Sequence, residues 1–548
     1  MPDFRNSYLY FLSLKKIASQ SIIKLFFSTN FYNKLLISKN PSRFVFYPNP
    51  YLLSPLLNHK SFLFKISEND ADDFWPKDIS KKENKNLHNF LWVNLIDRKT
   101  DVKIIQKIIV DWVSKYGNFK KDAWDENIIS KRIVTWISNS EMILSNSEKK
   151  FEEKFLHSLI KQINFIKKNL KSFSNDISKT SSISAIILSG LVFKEYYNNY
   201  LFGLKELKRI IDSSFDKDGF PKNRNFENLI YFLQYFVLIK EWIKNGQEIV
   251  PEYLDDIIEK NLICLNSFDN SSKNLPLFNG STEKNIKNFL EYLSKLNYRI
   301  HKNLSSVGKI QIIKNKKATL YFDSGEPPIH QLSKDYQSGP LSFEYFNDSD
   351  KVITNCGYGR KISRKTRLIS KFTSAQSTLC LDNTSVVKFK KNKVINKAYG
   401  STISNSFKIF DVKRTEDRLN IIISATHNAY QDKFGYLHKR IITFSKKNNE
   451  IVGNDLLIKK NSSSKVDFSI RFHLYPGINT IQTISGKSIL LQINKKKSWI
   501  FSSENRKIDL EKSLFLGGNK VLNNQCIVIY GNTKDEDVNI EWKLKKAS

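Results

Sequence analysis

Cysteine is scarce and scattered. Cys264, Cys356, Cys380 and Cys526 are the four in 548 residues, and no two form a CxxC pair. That excludes a zinc ribbon and a disulfide framework and leaves reduced, individually buried thiols. Long apolar runs are also missing: between Tyr8 and Leu36, Lys15, Lys16, Lys24 and Lys34 break every run short of membrane-spanning length, so no transmembrane segment is expected. Neither an uninterrupted apolar core nor a small-residue cleavage site marks a cleavable signal. What remains for this stretch is a packed helix or a basic amphipathic segment lying on a membrane. No fixed repeat length with recurring residues is found, which argues against a solenoid. Acidic residues are few, 54 Asp and Glu against 88 Lys and Arg, for a formal charge of +34. Such a surplus attracts polyanions such as nucleic acid, anionic lipid or an acidic polysaccharide. The basic residues are spread rather than clustered, however, and Lys, Asn and Ile abound where Ala and Gly are few, the usage an AT-rich genome writes into any protein. Charge alone therefore specifies no nucleic-acid partner.

A core is well supplied, with 40% of residues hydrophobic and 13% aromatic. At this length two domains, or three, are expected. From Met1 to Pro76, Pro41, Pro48, Pro50 and Pro55 point to extended segments between short helices, a lead-in that packs on the next domain. From residue 77 to about 300 the period is helical. Ile104, Ile105, Ile108, Ile109 and Trp112 form a buried stripe, repeated by Ile129, Ile133, Trp136 and Ile137. Further helices are expected at Phe151 to Leu170, Ser182 to Asn198, Leu201 to Phe215, Phe226 to Lys244 and Pro251 to Phe268. Their short connections favour antiparallel neighbours, as in a closed α/α toroid.

After about residue 301 the character changes to strand. Leu341 to Phe346 and Lys351 to Asn355 flank the turn Asn347 to Asp350, and alternation at period two predicts a half-buried antiparallel hairpin. A glycine-punctuated basic loop comes next, from Cys356 to Arg367, then another strand at Ser377 to Leu381. Strands are also expected at Lys309 to Ile313, Ala318 to Phe322, Leu419 to Ala425, Lys439 to Phe444, Asp467 to Leu474, Ser488 to Ile493, Asn524 to Tyr530 and Val538 to Lys543. Helices first and strands afterwards give a segregated α+β multidomain chain, with an incomplete α/α toroid at 77–300 and an antiparallel β-sandwich at 301–548.

Several short motifs occur in a telling order. They are Leu87-His88-Asn89-Phe90-Leu91-Trp92, Asp218-Gly219 with Arg224-Asn225, Leu277-Phe278-Asn279-Gly280, Phe322 to Pro328 (FDSGEPP), and Leu341-Ser342-Phe343-Glu344. Asn355-Cys356-Gly357, Ser377-Thr378-Leu379, Phe434-Gly435 with His438 and Arg440, and Ile470 to Leu474 (IRFHL) complete the series. In this order they resemble the heparinase II/III family of polysaccharide lyases, over about Asp73 to Leu544. The resemblance implies a toroid joined to a sandwich, β-elimination of a uronic-acid glycan in the cleft between them, an anionic polysaccharide as partner, and a place in the cell envelope. The lack of a visible signal points instead to the cytoplasm.

Elimination needs a group that neutralises the uronate carboxylate, a base for the C5 proton and an acid for the leaving oxygen. Arg224 and Asn225 fit the first role by resemblance, and a helix N-cap by position. Tyr231 is a proton-transfer candidate or a core tyrosine. Arg471 and His473 alternate onto one strand face that lines either the cleft or solvent. His427 and His438 bracket a loop with Tyr430 and Tyr436 as donors. Arg360, Arg364 and Arg367 form an anion-contact row or a solvated run. The resemblance also exposes departures: Gln337 and Gln376 stand where lyase members carry histidine, and an amide has no basic nitrogen. Both remain candidates for substrate binding. Metal-bearing members need His or Asp where this chain has Gly339 and Asn355, so neither metal nor other cofactor is expected. The alternative to a lyase is a glycan-binding protein of the same fold that lacks the base.

Overall fold

The computed structural model of the chain describes residues 4–57, 74–75, 86–97, 100–173, 176–299, 302–461, 465–495 and 497–547. The expected domain boundaries at 76/77 and 300/301 lie outside the described residues. The chain opens with α1 (Phe4–Phe27) and α2 (Asn30–Leu35). Where proline spacing suggested only short helices, α1 runs for 24 residues, because the first proline after Pro2 is Pro41.

The helical domain comprises α3 (Val102–Tyr116), α4 (Glu126–Ser138), α5 (Lys149–Asn169), α6 (Asp176–Val192), α7 (Tyr197–Ser214), α8 (Phe226–Asn245), α9 (Glu252–Phe268) and α10 (Lys287–Lys295). The isoleucine stripes of α3 and α4 are buried as their spacing requires. Helix α6 is buried along almost its whole length and touches α4, α5, α7 and α8. It begins six residues before the expected Ser182 and ends at Val192. Serines normally favour caps over helix interiors; here Ser181, Ser184 and Ser189 donate back to the i−3 carbonyls, so they can be buried without unpaired hydroxyls. Glycine sets how closely α6 and α7 approach: a Cβ on Gly190 would lie 2.2 Å from the Tyr200 nitrogen, and one on Gly203 2.4 Å from Ile187 Cγ1.

The second domain contains β1 (Ser306–Val307), β2 (Ile310–Asn315), β3 (Ala318–Asp323), β4 (Phe343–Asn347), β5 (Asp350–Thr354), β6 (Leu379–Leu381), β7 (Ile409–Glu416), β8 (Asn420–His427) and β9 (Tyr436–Ser445). It continues through β10 (Glu450–Lys459), β11 (Asp467–Leu474), β12 (Asn479–Gln482), β13 (Ser488–Asn494), β14 (Lys497–Ser502), β15 (Ile508–Phe515), β16 (Leu522–Asn532) and β17 (Val538–Lys546). Two short helices, α11 (Arg364–Ile369) and α12 (Lys393–Tyr399), lie in the connections. One antiparallel sheet has the order β1-β2-β3-β4-β5-β11-β16-β15 with β6 also on β11, and the other β12-β13-β14-β17-β10-β9-β8-β7. Phe343, Phe472 and Trp542 stack between them, with ring centroids 4.8–6.2 Å apart.

The first sheet is a middle layer. Leu320, Phe322, Phe343 and Tyr345 face the second sheet, while Tyr321 and Phe346 join the core of the helical domain. The β4–β5 hairpin is therefore covered on both faces rather than half-buried, and all five residues of β4 are buried. Alternation could not reveal this, because its outward positions are aromatic or carry the paired Glu344.

Candidate functional site

The segment from Asn270 to Glu283 is pressed against the outer face of the first sheet. The Leu277 amide donates to Glu344 Oε2 (3.0 Å), Gly280 N to Gln337 Oε1 (2.9 Å), and Glu283 N to the Gly517 carbonyl (2.8 Å). Asn279 and Gly280 both have positive φ, and a Cβ on Gly280 would sit 2.7 Å from Asp335 Cβ, so this turn needs glycine to dock. Glu344 is saturated: its other oxygen accepts from Thr354 Oγ1 (2.8 Å) and Asn355 N (3.0 Å), and Lys351 Nζ lies 3.0 Å from Oε2.

Arg224 and Asn225 enter the same joint. Arg224, buried and at φ +60°, donates to the carbonyls of Gly308 and Gly325 (3.1 Å each) and forms an ion pair with Asp323. Asn225 caps α8 through Asn228 N (3.1 Å) and donates from Nδ2 to the Asn279 carbonyl (2.9 Å). Gln337 Nε2 donates to the carbonyls of Gly357 (3.1 Å) and Ser370 (2.7 Å), and Gln376 Nε2 donates to Ser370 as well (2.9 Å). Arg360 pairs with Glu227 at 2.6 Å, and Glu227 also accepts from Thr282. The structure thus gathers Arg224, Asn225, Gln337, Gln376 and Arg360 at one joint, each held by other protein groups.

His473 lies directly behind Gln376. Its Nε2–H donates to the Ser374 carbonyl (3.0 Å), which leaves Nδ1 to accept from Ser513 Oγ (2.9 Å), and its backbone nitrogen donates to Ser377 Oγ. Burial pulls its pKa down to about 4. Arg471, on the same strand face, pairs with Glu511 at 2.8 Å.

His427 and His438 lie inside the sandwich. Asp455 accepts from His438 Nε2 (2.6 Å), from Arg440 Nε and Nη2 (2.8 and 3.0 Å) and from Trp542 Nε1 (2.8 Å). His438 Nδ1 then accepts from His427 Nε2 (3.1 Å), and His427 Nδ1 from the Ala429 amide (3.2 Å). Every nitrogen of the two rings is engaged, with each imidazole neutral and in a defined tautomer. Burial opposes the Asp455 charge, but Arg440 and then His438 more than offset it, and its pKa falls below the usual carboxylate range. Desolvation likewise lowers His427 and His438. Tyr436 is buried, and its hydroxyl meets no hydrogen-bond partner among the described residues. Asn355 Oδ1 accepts from Ser377 N (2.9 Å), and both nitrogens of the His438 ring are engaged. Among the described residues no cluster of three or more His, Cys, Asp or Glu is arranged to hold one.

Tyr231 belongs to a different environment, the helical interior, where its hydroxyl donates to Asn127 Oδ1 (3.3 Å) beside Ser181 and burial raises its pKa. Sequence reasoning missed Asn127, Glu227 and Lys371. Lys371 Nζ is buried between the carbonyls of Lys334 (2.6 Å) and Ser401 (2.7 Å), and desolvation lowers its pKa to about 7. In sequence it is one lysine among many. Exposed Lys361, Arg364 and Lys365 form a basic rim beside the joint.

Comparison with known proteins agrees with this fold. Residues 301–543 match the family model "Heparinase II/III-like, C-terminal". The heparan sulfate lyase HepC of Pedobacter heparinus shares the fold at a TM-score of 0.67 and 15% identity, over 92% of this chain and 86% of that one. The structure of a heparinase III, the BT4657 gene product, matches at 0.68 and 13% identity, over 90% and 86%. "FtsZ-localized protein C" of Caulobacter vibrioides is 20% identical over 500 residues, 87% of this chain and 84% of that protein. Residues 301–543 thus match the heparinase II/III-like C-terminal domain, and the toroid-plus-sandwich fold of the heparinase III structures is shared along nearly the whole chain.

Proposed function

We propose that this polysaccharide lyase-like protein binds an anionic, uronic-acid-containing glycan at the joint between toroid and sandwich and does not eliminate it. The observation that carries this reading is the state of its proton-transfer candidates. His427, His438 and His473 have both ring nitrogens engaged, and Gln337 and Gln376 spend their amides on backbone groups. A base must reach the proton it removes, directly or through one water. The rim of Lys361, Arg364 and Lys365 supports recognition of carboxylates or sulfates.

The test incubates the full chain with a panel of uronic-acid polymers, following ultraviolet absorbance of unsaturated product and, in parallel, binding by calorimetry. Binding without product, weakened by Arg364→Glu with Lys365→Glu, is the expected result. Gln337→His should yield no turnover, because that side chain is enclosed by Gly280, Gly357 and Ser370. Product from the wild-type chain would make it a lyase, and absence of binding to every polymer would remove the glycan reading.

A second reading comes from the FtsZ-localized relative, whose similarity extends through both domains. On this reading the chain, like that relative, localises with FtsZ. Co-sedimentation of the full chain with assembled FtsZ, absent without assembly, would favour it over the glycan.

A further inference from the structure

Helix α1 carries apolar residues outward as well as inward. Tyr8, Phe11, Lys15, Ala18, Ile22 and Leu25 recur at spacings of three and four and so form one stripe along the helix. All six are exposed: Tyr8 is 65%, Phe11 63%, Ile22 66% and Leu25 70% accessible. The opposite side, turned toward the protein, carries Leu9, Leu12, Ser13, Lys16, Ile17 and Gln20. The helix is fixed at two points. Lys16 Nζ lies 4.2 Å from the centre of the Tyr399 ring on α12, and Phe27 packs edge-on against Phe119 and Phe165, both at 5.2 Å. The stripe is about 25 Å long, and exposed Phe31, Leu35 and Ile37 extend it past the helix end.

A folded chain does not ordinarily leave an apolar band of this length in water. The charge around it is one-sided: from Phe4 to Pro55 there are seven Lys or Arg and no Asp or Glu. Among the described residues no helix is long and apolar enough to cross a membrane. Large outward aromatic and aliphatic groups on a segment whose own charges are all cationic match a bilayer surface with anionic headgroups, where the stripe sinks into the acyl boundary and lysines stay among the phosphates. We propose that α1 and α2 form an in-plane docking surface that holds this protein on an anionic lipid bilayer. The proposal is independent of whether the joint binds a glycan.

Flotation of the full chain with vesicles of phosphatidylglycerol in phosphatidylcholine tests it, against vesicles of phosphatidylcholine alone. The chain should float with the anionic vesicles and lose that binding as salt is raised. The variant Phe11→Ser, Ile22→Ser, Leu25→Ser should weaken it roughly tenfold or more at an unchanged thermal midpoint, and Lys15→Glu with Lys34→Glu should also reduce it, most strongly at high anionic fraction. Failure to float with anionic vesicles would overturn the proposal, as would a triple variant that floats like the wild type. So would a solution dimer that the triple variant converts to monomer, since the stripe would then be covered by a second copy.

Discussion

Asp455 and Arg224 invite comparison. Each is a buried charge with several partners, but Asp455 collects His438, Arg440 and Trp542 from within one sandwich, whereas Arg224 reaches from the toroid to Asp323, Gly308 and Gly325 of the other domain. Titratable groups with displaced pKa values often mark catalytic sites. Here the first network fixes how two sheets face one another and the second fixes how two domains meet. What separates such a network from a catalytic one is whether any nitrogen or oxygen is left for a substrate.

The largest effect should come from Asp455→Ala, which leaves Arg440 buried without a counter-charge and two donors unpaired. A loss of about 5 kcal/mol is expected in chemical denaturation, with the sandwich failing first. Arg224→Met should cost about 3–4 kcal/mol by stranding Asp323. It should also split one unfolding transition into two, which Asp455→Ala should not do; equal splitting in both variants would break the contrast between the networks. The third effect is on pH. His473 has a folded pKa of about 4 against an ordinary 6.5, so the unfolded chain binds its proton first as pH falls. The corresponding stability is complete above 6.5 and is lost between 6.5 and 4, about 3 kcal/mol in all. Asp455 has a depressed pKa, and its contribution disappears only as pH falls below the ordinary carboxylate value near 3.8. His473→Gln should therefore reduce the slope of the upper part of an acid titration, to which His427 and His438 also contribute, and leave the lower part unchanged. The smallest effect is Arg360→Ala, which removes a partly exposed pair with Glu227 and should cost about 1 kcal/mol or less.

Much of this architecture was legible in the residues. The helical stripes of α3 and α4, the β4–β5 hairpin and the strand at Asp467 to Leu474 stand where their periods place them. The strands that periodicity does not reveal are hidden for physical reasons. Strand β7 is an edge with a largely exposed pattern, and β10 contains Gly453, where a Cβ would collide with the Trp542 ring, so an apparent breaker is a packing device. The short motifs located the joint well: Arg224-Asn225, Leu277 to Gly280, Asp323, Glu344 and Asn355 all meet there. What those motifs could not convey is how completely each group is engaged. An Arg next to an Asn reads the same in sequence whether it faces a substrate or grips a carbonyl 101 residues away.

The Arg224 clamp also constrains the order of events at the ribosome. Its carboxylate partner is 99 residues further along the chain, so at about 5–20 residues per second the toroid emerges and waits on the order of 5–20 s before Asp323 is made. Throughout that interval the start of α8 must remain hydrated, and the toroid cannot close its sandwich-facing end. A chain stopped between the two residues would carry a toroid with an open mouth of unpaired charges, Arg224 and Glu227 among them, a natural target for chaperones during synthesis.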